Sequence, residues 1–407
     1  MKHVSLVCLF ALLSGAVFMP HAVAQDEQPV ANETSVALTR LLARDIFELN
    51  SIPFLEPLVI AANASTNAGF FRNAWIPKQD TLYFRFSVVG MGGLVGDNRQ
   101  YYNPNLPTDT TGVAASGEPI DAIYAQLLLI FQRGIETDNI NLPDQAATIF
   151  GPTERAVFDI PTEYLLEEIR KNSIYVILPQ AAKDNIDAAI ESLPEQQTLP
   201  GGADMSVIAA AVPQLEIGAL WGTELLLRYI PPVRFDDNVG DITFFGAAVR
   251  HSLSQYFGDA PLFDLAIQGA YQTTSIENTI GVTEAKLQAD ADIFNVNIHA
   301  SKTWDGFTAY SGLSFERIEV NTDYTYALPF ETQIALNLLK ETGPGQYEVV
   351  LPDYPGDTEP QTSSVTLEDN NLKFVAGMMY TFDPVSIFVD YSFSEFNIIS
   401  GGLMVSF

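Results

Sequence analysis

DPVSIFVDYSFSEFNIISGGLMVSF, residues 383–407, is the stretch whose reading decides the fold. Val385, Ile387, Val389, Tyr391 and Phe393 share one parity, and Ser386, Asp390, Ser392 and Ser394 share the other. After a turn at Glu395-Phe396-Asn397, Ile399, Leu403, Val405 and Phe407 alternate with Ser400, Gly402, Met404 and Ser406. A period of two places successive side chains on opposite faces of a strand. The apolar face runs on to an aromatic, Phe407, as the closing strand of a bacterial outer-membrane barrel does. The expectation is an all-β fold: a transmembrane antiparallel β-barrel of 12–14 strands over residues 78–407, preceded by a helical and irregular plug-like segment, residues 25–77.

Working backward, the same grammar predicts strands at 206–219, 223–230, 241–252, 262–274, 284–302, 307–319 and 368–381, before 385–394 and 399–407. Short connections fall at Trp221-Gly222, 253–261, Trp304-Asp305-Gly306 and Asp383-Pro384; longer ones fall at 231–240, 275–283 and 320–367. Transmembrane barrels have short periplasmic turns and longer outer loops. With Phe407 at the periplasmic side, that parity holds back to Val207, the 395–398 hairpin excepted. Trp221, Trp304, Tyr380 and Phe382 cluster near the short turns, as an interfacial girdle would. In 284–302 the apolar parity slips, and a β-bulge near Ile293 is predicted.

Asp80 to Val89 is the first clear strand. Nine later strands plus three or five from residues 66–205 give 12 or 14, with 14 favoured. Ile123 to Phe131 fits strand or helix. Glu163 to Arg170 and Ala181 to Leu193 read as helical around a strand-like Ser173 to Leu178. Upstream, Leu38, Leu41, Leu42, Ile46 and Leu49 recur at helical spacing. Pro53 and Pro57 then argue against a regular helix interior. This apolar, irregular stretch cannot face lipid, because its backbone groups would go unpaired. It belongs in the lumen or in a periplasmic lid, and Phe54, Leu55, Phe70, Phe71 and Trp75 are its candidate plug residues.

Composition sets the bounds. Lys2, the apolar run Val4 to Phe18 and the Ala22-Val23-Ala24 site read as a signal peptide, residues 1–24. The one cysteine, Cys8, lies within it, so disulfides and thiolate metal sites are excluded beyond it. Removing Lys2 takes the formal charge from −30 to −31, which excludes nucleic acid as a partner. After the signal no apolar run is long enough for a membrane helix. The choice is therefore a secreted β protein or an outer-membrane barrel.

LPGG at Leu199–Gly202, Pro213-Gln214-Leu215, Gly222-Thr223-Glu224, Arg228-Tyr229-Ile230-Pro231, Phe245-Gly246 and Val249-Arg250-His251-Ser252 go beyond generic barrel grammar. With NASTNAGFFRNAW and Ile149-Phe150-Gly151, they resemble a family of uncharacterised outer-membrane proteins, formally a domain-of-unknown-function family. Beside it, 161–198 looks like an insertion. The resemblance implies a fold and a location, not a mechanism. More remotely, a plug-like segment before a mid-sized barrel looks like the long-chain fatty-acid transporter type.

No phosphate loop is present, and Gly-Gly at 92–93 and 201–202 lacks its flanks. His251 and Ser252 are adjacent on a strand and point to opposite faces, so they cannot form a dyad. The acidic loop 320–367 lacks calcium-loop spacing. No catalytic, cofactor or metal site is assigned. The inward parity carries the remaining constellation: Glu216, Glu224, Arg228, Arg250, Asp264, Asp290, Asp292, His299, Glu316 and Asp390 as candidate lumen-lining residues. They read as an ion-pair network filling the interior or as a permeation path, with an acidic lumen disfavouring anions. The functional expectation is a passive channel or uptake protein for a small solute, hydrophobic solutes included. The alternative is a structural or surface-interaction barrel with a closed lumen and partner-binding acidic loops. Expected partners are outer-membrane lipid and, through the strand ending in Phe407, the barrel-assembly machinery.

Overall fold

The computed structural model describes residues 33–77, 82–110, 119–191, 193, 195–234, 241–257, 262–280, 285–326, 339–343, 346–349 and 361–407. The predicted signal peptide and parts of the 320–367 loop lie outside them. Ten strands close into a barrel: β1 (Tyr83–Leu94), β2 (Val207–Leu220), β3 (Thr223–Arg234), β4 (Asp241–Ser252), β5 (Asp264–Ile280), β6 (Ala285–Trp304), β7 (Phe307–Tyr326), β8 (Gln361–Phe382), β9 (Val385–Phe393) and β10 (Ile398–Ser406). Each pairs antiparallel with its sequence neighbours. β1 closes the ring on β10, with Arg85 opposite Ser406 and Gly92 opposite Ile399. The strand count is ten, not 12–14. Residues 66–205 supply one barrel strand, because the apolar periods between Pro119 and Glu191 are helical.

Ten strands about 4.8 Å apart, tilted about 40°, give a backbone circumference of roughly 63 Å and a diameter of roughly 20 Å. Inward side chains on both walls leave room for about one further chain segment. The tight turns after β2, β6 and β8 and the β1–β10 closure lie at one end, where Phe407 and Phe84 exchange backbone hydrogen bonds of 2.8 and 3.3 Å. The described residues of 95–206 and the strand ends that flank the longer connections lie at the other. Trp221, Trp304, Tyr380 and Phe382 are exposed beside the tight turns.

The outward face records where the wall meets lipid. On β8 it is apolar at Leu372, Phe374, Ala376, Met378, Tyr380 and Phe382, and polar above at Thr366, Glu368 and Asn370. From Leu372 to Phe382 a strand at about 3.4 Å per residue and about 40° tilt rises roughly 26 Å, the height of an outer-membrane apolar band. The same change occurs on β7 between Phe315 and Arg317, and on β6 between Asp292 and Phe294. Above that line the inner face turns apolar, with Ala289, Ala291, Ile293, Ile318 and Leu367 buried. Among the described residues no helix is long and apolar enough to cross a membrane, which says nothing of the strands.

This corrects the bulge expected near Ile293. β6 keeps unbroken register with both β5 and β7 from Lys286 to Ser301. Parity never slips; the strand leaves the bilayer, and the chemistry of its outer face inverts. Asp290 and Asp292 are therefore not lumen-lining. They face outward above the band, where Tyr271 donates its hydroxyl to Asp292. An Ile298→Arg substitution is expected to cost about 2–4 kcal/mol, since it puts a cation on the lipid face near mid-bilayer. Asp292→Arg on the same face should change stability little. Urea unfolding in bilayers measures both; equal losses would restore the bulge.

The chain before β1 runs through the barrel. α1 (Glu33–Thr66) contains both Pro53 and Pro57, so the prolines do not end the helix. Each removes an internal hydrogen bond and costs about 3 kcal/mol in a free helix. Here the weakened turn is tied from outside, as the Ile149 amide donates to the Phe54 carbonyl at 3.1 Å, and Phe54, Leu58 and Val59 are buried around it. The first turns of α1 lie at the long-loop end. There Leu38, Leu42 and Ile46 share a core with a cap formed by residues 95–206. That cap holds α2 (Pro119–Glu136), α3 (Thr162–Arg170), α4 (Ser173–Ile177) and α5 (Gln180–Glu191). The strand-like 173–178 is thus helical, started by Asn172, whose side chain accepts from the Ile174 amide. Tyr124 of α2 donates to Asp45 of α1 at 2.7 Å. Burial, with that carboxylate beside it, holds its phenol well above the ordinary range.

Candidate functional site

The site is the barrel interior and the segment threaded through it. α1 has no basic residue in its last turn, and a helix C-terminus leaves carbonyls unpaired and carries partial negative charge. Two cations from the wall supply what the helix lacks. Arg228 of β3 donates to the Thr66 and Ala68 carbonyls, each at 2.7 Å. Lys373 of β8 donates to the Ala64 and Asn67 carbonyls at 3.3 and 3.1 Å. Both side chains are buried. The Arg228 guanidinium also lies 3.8 Å from the Phe70 ring centroid, and its Nε donates to Gln214 at 2.9 Å. Lys373 pairs with Glu316 at 2.5 Å, which also accepts from Ser314, Asn295 and Asn371.

Beyond the helix the chain turns at Gly69, whose φ of +63° favours glycine; an added Cβ would meet Val89 Cγ1 at 2.5 Å. It then descends toward the tight turns. Phe71 stacks on His299 at 4.4 Å with an interplanar angle of 13°. Arg72 pairs with Glu216 at 2.9 Å, and its guanidinium lies 4.0 Å from the Phe388 ring centroid. Ser301 of β6 donates to the Asn73 side chain at 3.1 Å and accepts from the Ala74 amide at 2.8 Å. Higher up, Asn63 donates to Asp369 at 2.8 Å and Gln272 donates to Asn67 at 3.1 Å.

Below Arg72 lies a buried charge cluster. Arg85 approaches Glu224 at 3.2 Å and Glu216 at 3.7 Å. Arg250 pairs with Glu224 and lies 3.8 Å from Glu216. Tyr83 donates to Glu224 at 2.5 Å, and Gln214 to Glu216 at 2.7 Å. Charges taken out of water need such partners, since removing one leaves the other uncompensated.

The predicted lining residues divide as follows. Glu216, Glu224, Arg228, Arg250, His299, Glu316 and Asp390 are buried and inward, with Asp390 accepting from Tyr310 at 3.0 Å and from Ser400. Asp264 is half-buried on the inward parity beside the short-turn end, while Asp290 and Asp292 point away. Of the plug candidates, Phe54, Phe70 and Phe71 are buried and Leu55 is half-buried. Trp75 is 45% exposed, beyond the packed part of the thread. Arg72, Tyr83, Arg85, Asn295, Asn297 and Lys373 were not anticipated. Period-two parity could have found Arg85 and Lys373, whereas Arg72 showed only as a lone charge after Phe70-Phe71. They also overturn the acidic lumen: five buried or half-buried cations, Arg72, Arg85, Arg228, Arg250 and Lys373, face Glu216, Glu224, Glu316 and Asp390.

Comparison with known proteins adds little beyond the fold. No curated protein matches the sequence. Among solved structures, the ferric-catecholate import receptor Fiu of E. coli K12 aligns at 10% identity over 78% of this chain and 55% of its own, with a TM-score of 0.23. The chain thus spans about half of Fiu's length. Pseudomonas aeruginosa OccK2 aligns at 12% identity over 52% of this chain and 83% of its own, with a TM-score of 0.10. A BenF-like porin from Pseudomonas fluorescens Pf-5 gives 9% identity, 80% and 97% coverage and a TM-score of 0.11. Likenesses this distant carry no functional argument, and they lend nothing to the fatty-acid transporter analogy. The sequence itself is decisive on kinship: matched over residues 1–407, the chain belongs to the family of unknown function DUF6588.

Proposed function

We propose that this barrel resides in the bacterial outer membrane and passes a small solute, with the threaded segment, residues 63–77, as its gate. One observation carries the reading. Within the lipid band the lumen is filled by a separate segment, whose ion pairs and hydrogen bonds to the wall (Arg72 to Glu216, Asn73 and Ala74 to Ser301) run beside apolar packing of Phe70 and Phe71. The polar contacts exchange for water at small net cost, about 0.5–1.5 kcal/mol per hydrogen bond, and the apolar part of the grip is concentrated in Phe70 and Phe71, so a shift of the segment has few side chains to release. The strand ending in Phe407 is the proposed handle for the barrel-assembly machinery. A second reading, a closed barrel displaying partner-binding loops, draws on the cap that packs over α1 at the long-loop end.

A reversible tether separates the two. Asn73 and Ser301 meet side chain to side chain at 3.1 Å, and the one native cysteine, Cys8, lies in the predicted signal. In an Asn73→Cys, Ser301→Cys double variant, oxidation should suppress the conductance seen in planar bilayers, and reduction should restore it. A folded, heat-modifiable protein that never conducts would rule out the channel. Conductance indifferent to the bridge would rule out this gate.

A further inference from the structure

Beneath the thread, at the short-turn end, is a cavity of about 250 Å³ lined by Arg72, Arg85, Glu216, Arg250, Met379 and Met404, with hydroxyls of Thr303, Thr308, Thr381, Ser386 and Ser406 at its sides. We infer that it binds a small monocarboxylate. The inference rests on the transport reading and gives that reading a substrate class. Three guanidiniums meet here, against Glu216 on the cavity wall and Glu224 behind it. Both carboxylates are already engaged, Glu216 by Arg72 and Gln214, Glu224 by Tyr83, Arg85 and Arg250. One positive charge is left over, so a singly charged anion brings the cluster to neutrality.

The donors match that charge. Arg72 and Arg250 are buried to 3% and 2% exposure, and the Nε of each has no hydrogen-bond partner among the described residues. These Nε atoms face protein, not the open volume; the two guanidiniums act on the cavity through their charge at its wall. Arg85, with 18% of its side chain exposed, is the guanidinium open to an incoming ligand. Guanidinium and carboxylate are both planar and join through parallel hydrogen bonds. Met379 and Met404 offer soft apolar contact to a short hydrocarbon tail. The volume lies below the usual range for drug-sized ligands, roughly 300–1,000 Å³, and this limits the ligand to a few carbons.

The test uses the purified full chain in detergent. Butyrate, its neutral isostere butyramide, and chloride at matched ionic strength are titrated by calorimetry. Butyrate should bind saturably and butyramide at least tenfold more weakly. Arg85→Gln should lose at least tenfold in butyrate affinity and Arg85→Lys less. Thr303→Asp, which adds a negative charge at the exposed rim without touching the cluster, should abolish binding if Arg85→Gln fails to fold. Lys171→Gln, in the cap, should bind as the parent does. Equal heats from butyrate and chloride, or binding unchanged by Thr303→Asp, would overturn the inference. Conductance on the same preparations separates the two claims. A protein that conducts yet ignores butyrate sinks only the ligand assignment, and one that binds butyrate yet never conducts sinks only the transport reading.

Discussion

A chain from which residues 25–77 are removed is expected to form a sustained open pore in planar bilayers, with conductance on the order of tenfold or more above the full chain, since emptying a lumen of its occluding segment removes the main barrier to hydrated ions. The argument is one of size. A ring roughly 20 Å across at the backbone leaves, inside its side chains, a space about as wide as the segment it now holds. Wall residues left facing that space include Gln214, Asn295, Asn297, Ser314 and the paired ions, which water solvates readily, beside apolar Leu226, Phe244 and Phe388. The upper core would lose its helix, so the cap should loosen and become protease-sensitive while the barrel keeps its heat-modifiable migration. A folded barrel that stays closed after this deletion would show that the wall alone seals the lumen, and the gate would have to be sought elsewhere.

The second large effect is expected at Glu316. Replacing it with alanine strands the Lys373 ammonium in a buried site and should cost about 3–5 kcal/mol, read as a lowered urea midpoint. Arg317, the next residue along β7, supplies an internal control. It faces outward above the lipid band and pairs with Glu368 at 3.1 Å, both side chains being nearly half exposed. Arg317→Ala should cost only about 0–1 kcal/mol, because solvent screens that pair. Adjacent residues with similar ionic partners thus differ several-fold in effect, solely because the strand turns one inward and one outward. A double variant, Glu316→Leu with Lys373→Met, should recover most of the stability, since a buried ion pair is replaceable by apolar volume. It would still lack one of the two cations that hold the Ala64 to Ala68 carbonyls, so it should conduct more than the parent. Equal losses at Glu316 and Arg317 would contradict the burial seen here.

These two residues also mark how far the sequence could be read. Alternation along a strand is local, so Glu316 was identifiable as inward from the apolar opposite parity of Leu313 and Phe315. The membrane boundary is a plane fixed by the whole barrel. That is why Asp290 and Asp292 read as lining residues: nothing within β6 announces that the strand has risen out of the lipid. The threaded segment failed for a similar reason. Pro53 and Pro57 speak against a helix locally, and the Ile149 amide that ties the weakened turn comes from far along the chain. Ile123 to Phe131 fitted strand or helix until the cap gave it a core to pack against. Lys373 was legible by parity, but its role as a cap for α1 required knowing where that helix ends.

The path of the N-terminal thread favours one order of assembly. Its upper part is built into the cap at the long-loop end, while Asn73 and Ala74 lie against Ser301 near the tight turns, so the chain passes the ring as a cord passes a bead. The cap helices α2 to α5 sit on the β1–β2 connection and never have to pass the ring; α1 would, as one helix about 10–12 Å wide with its side chains, entering a ring roughly 20 Å across at the backbone whose lumen is already lined by inward side chains. The tight fit favours a ring that closes around the cord, with β10 zipping onto β1 after residues 63–77 are in place. In that order biogenesis is an encirclement that ends at the seam where Arg85 pairs with Ser406 and Gly92 with Ile399.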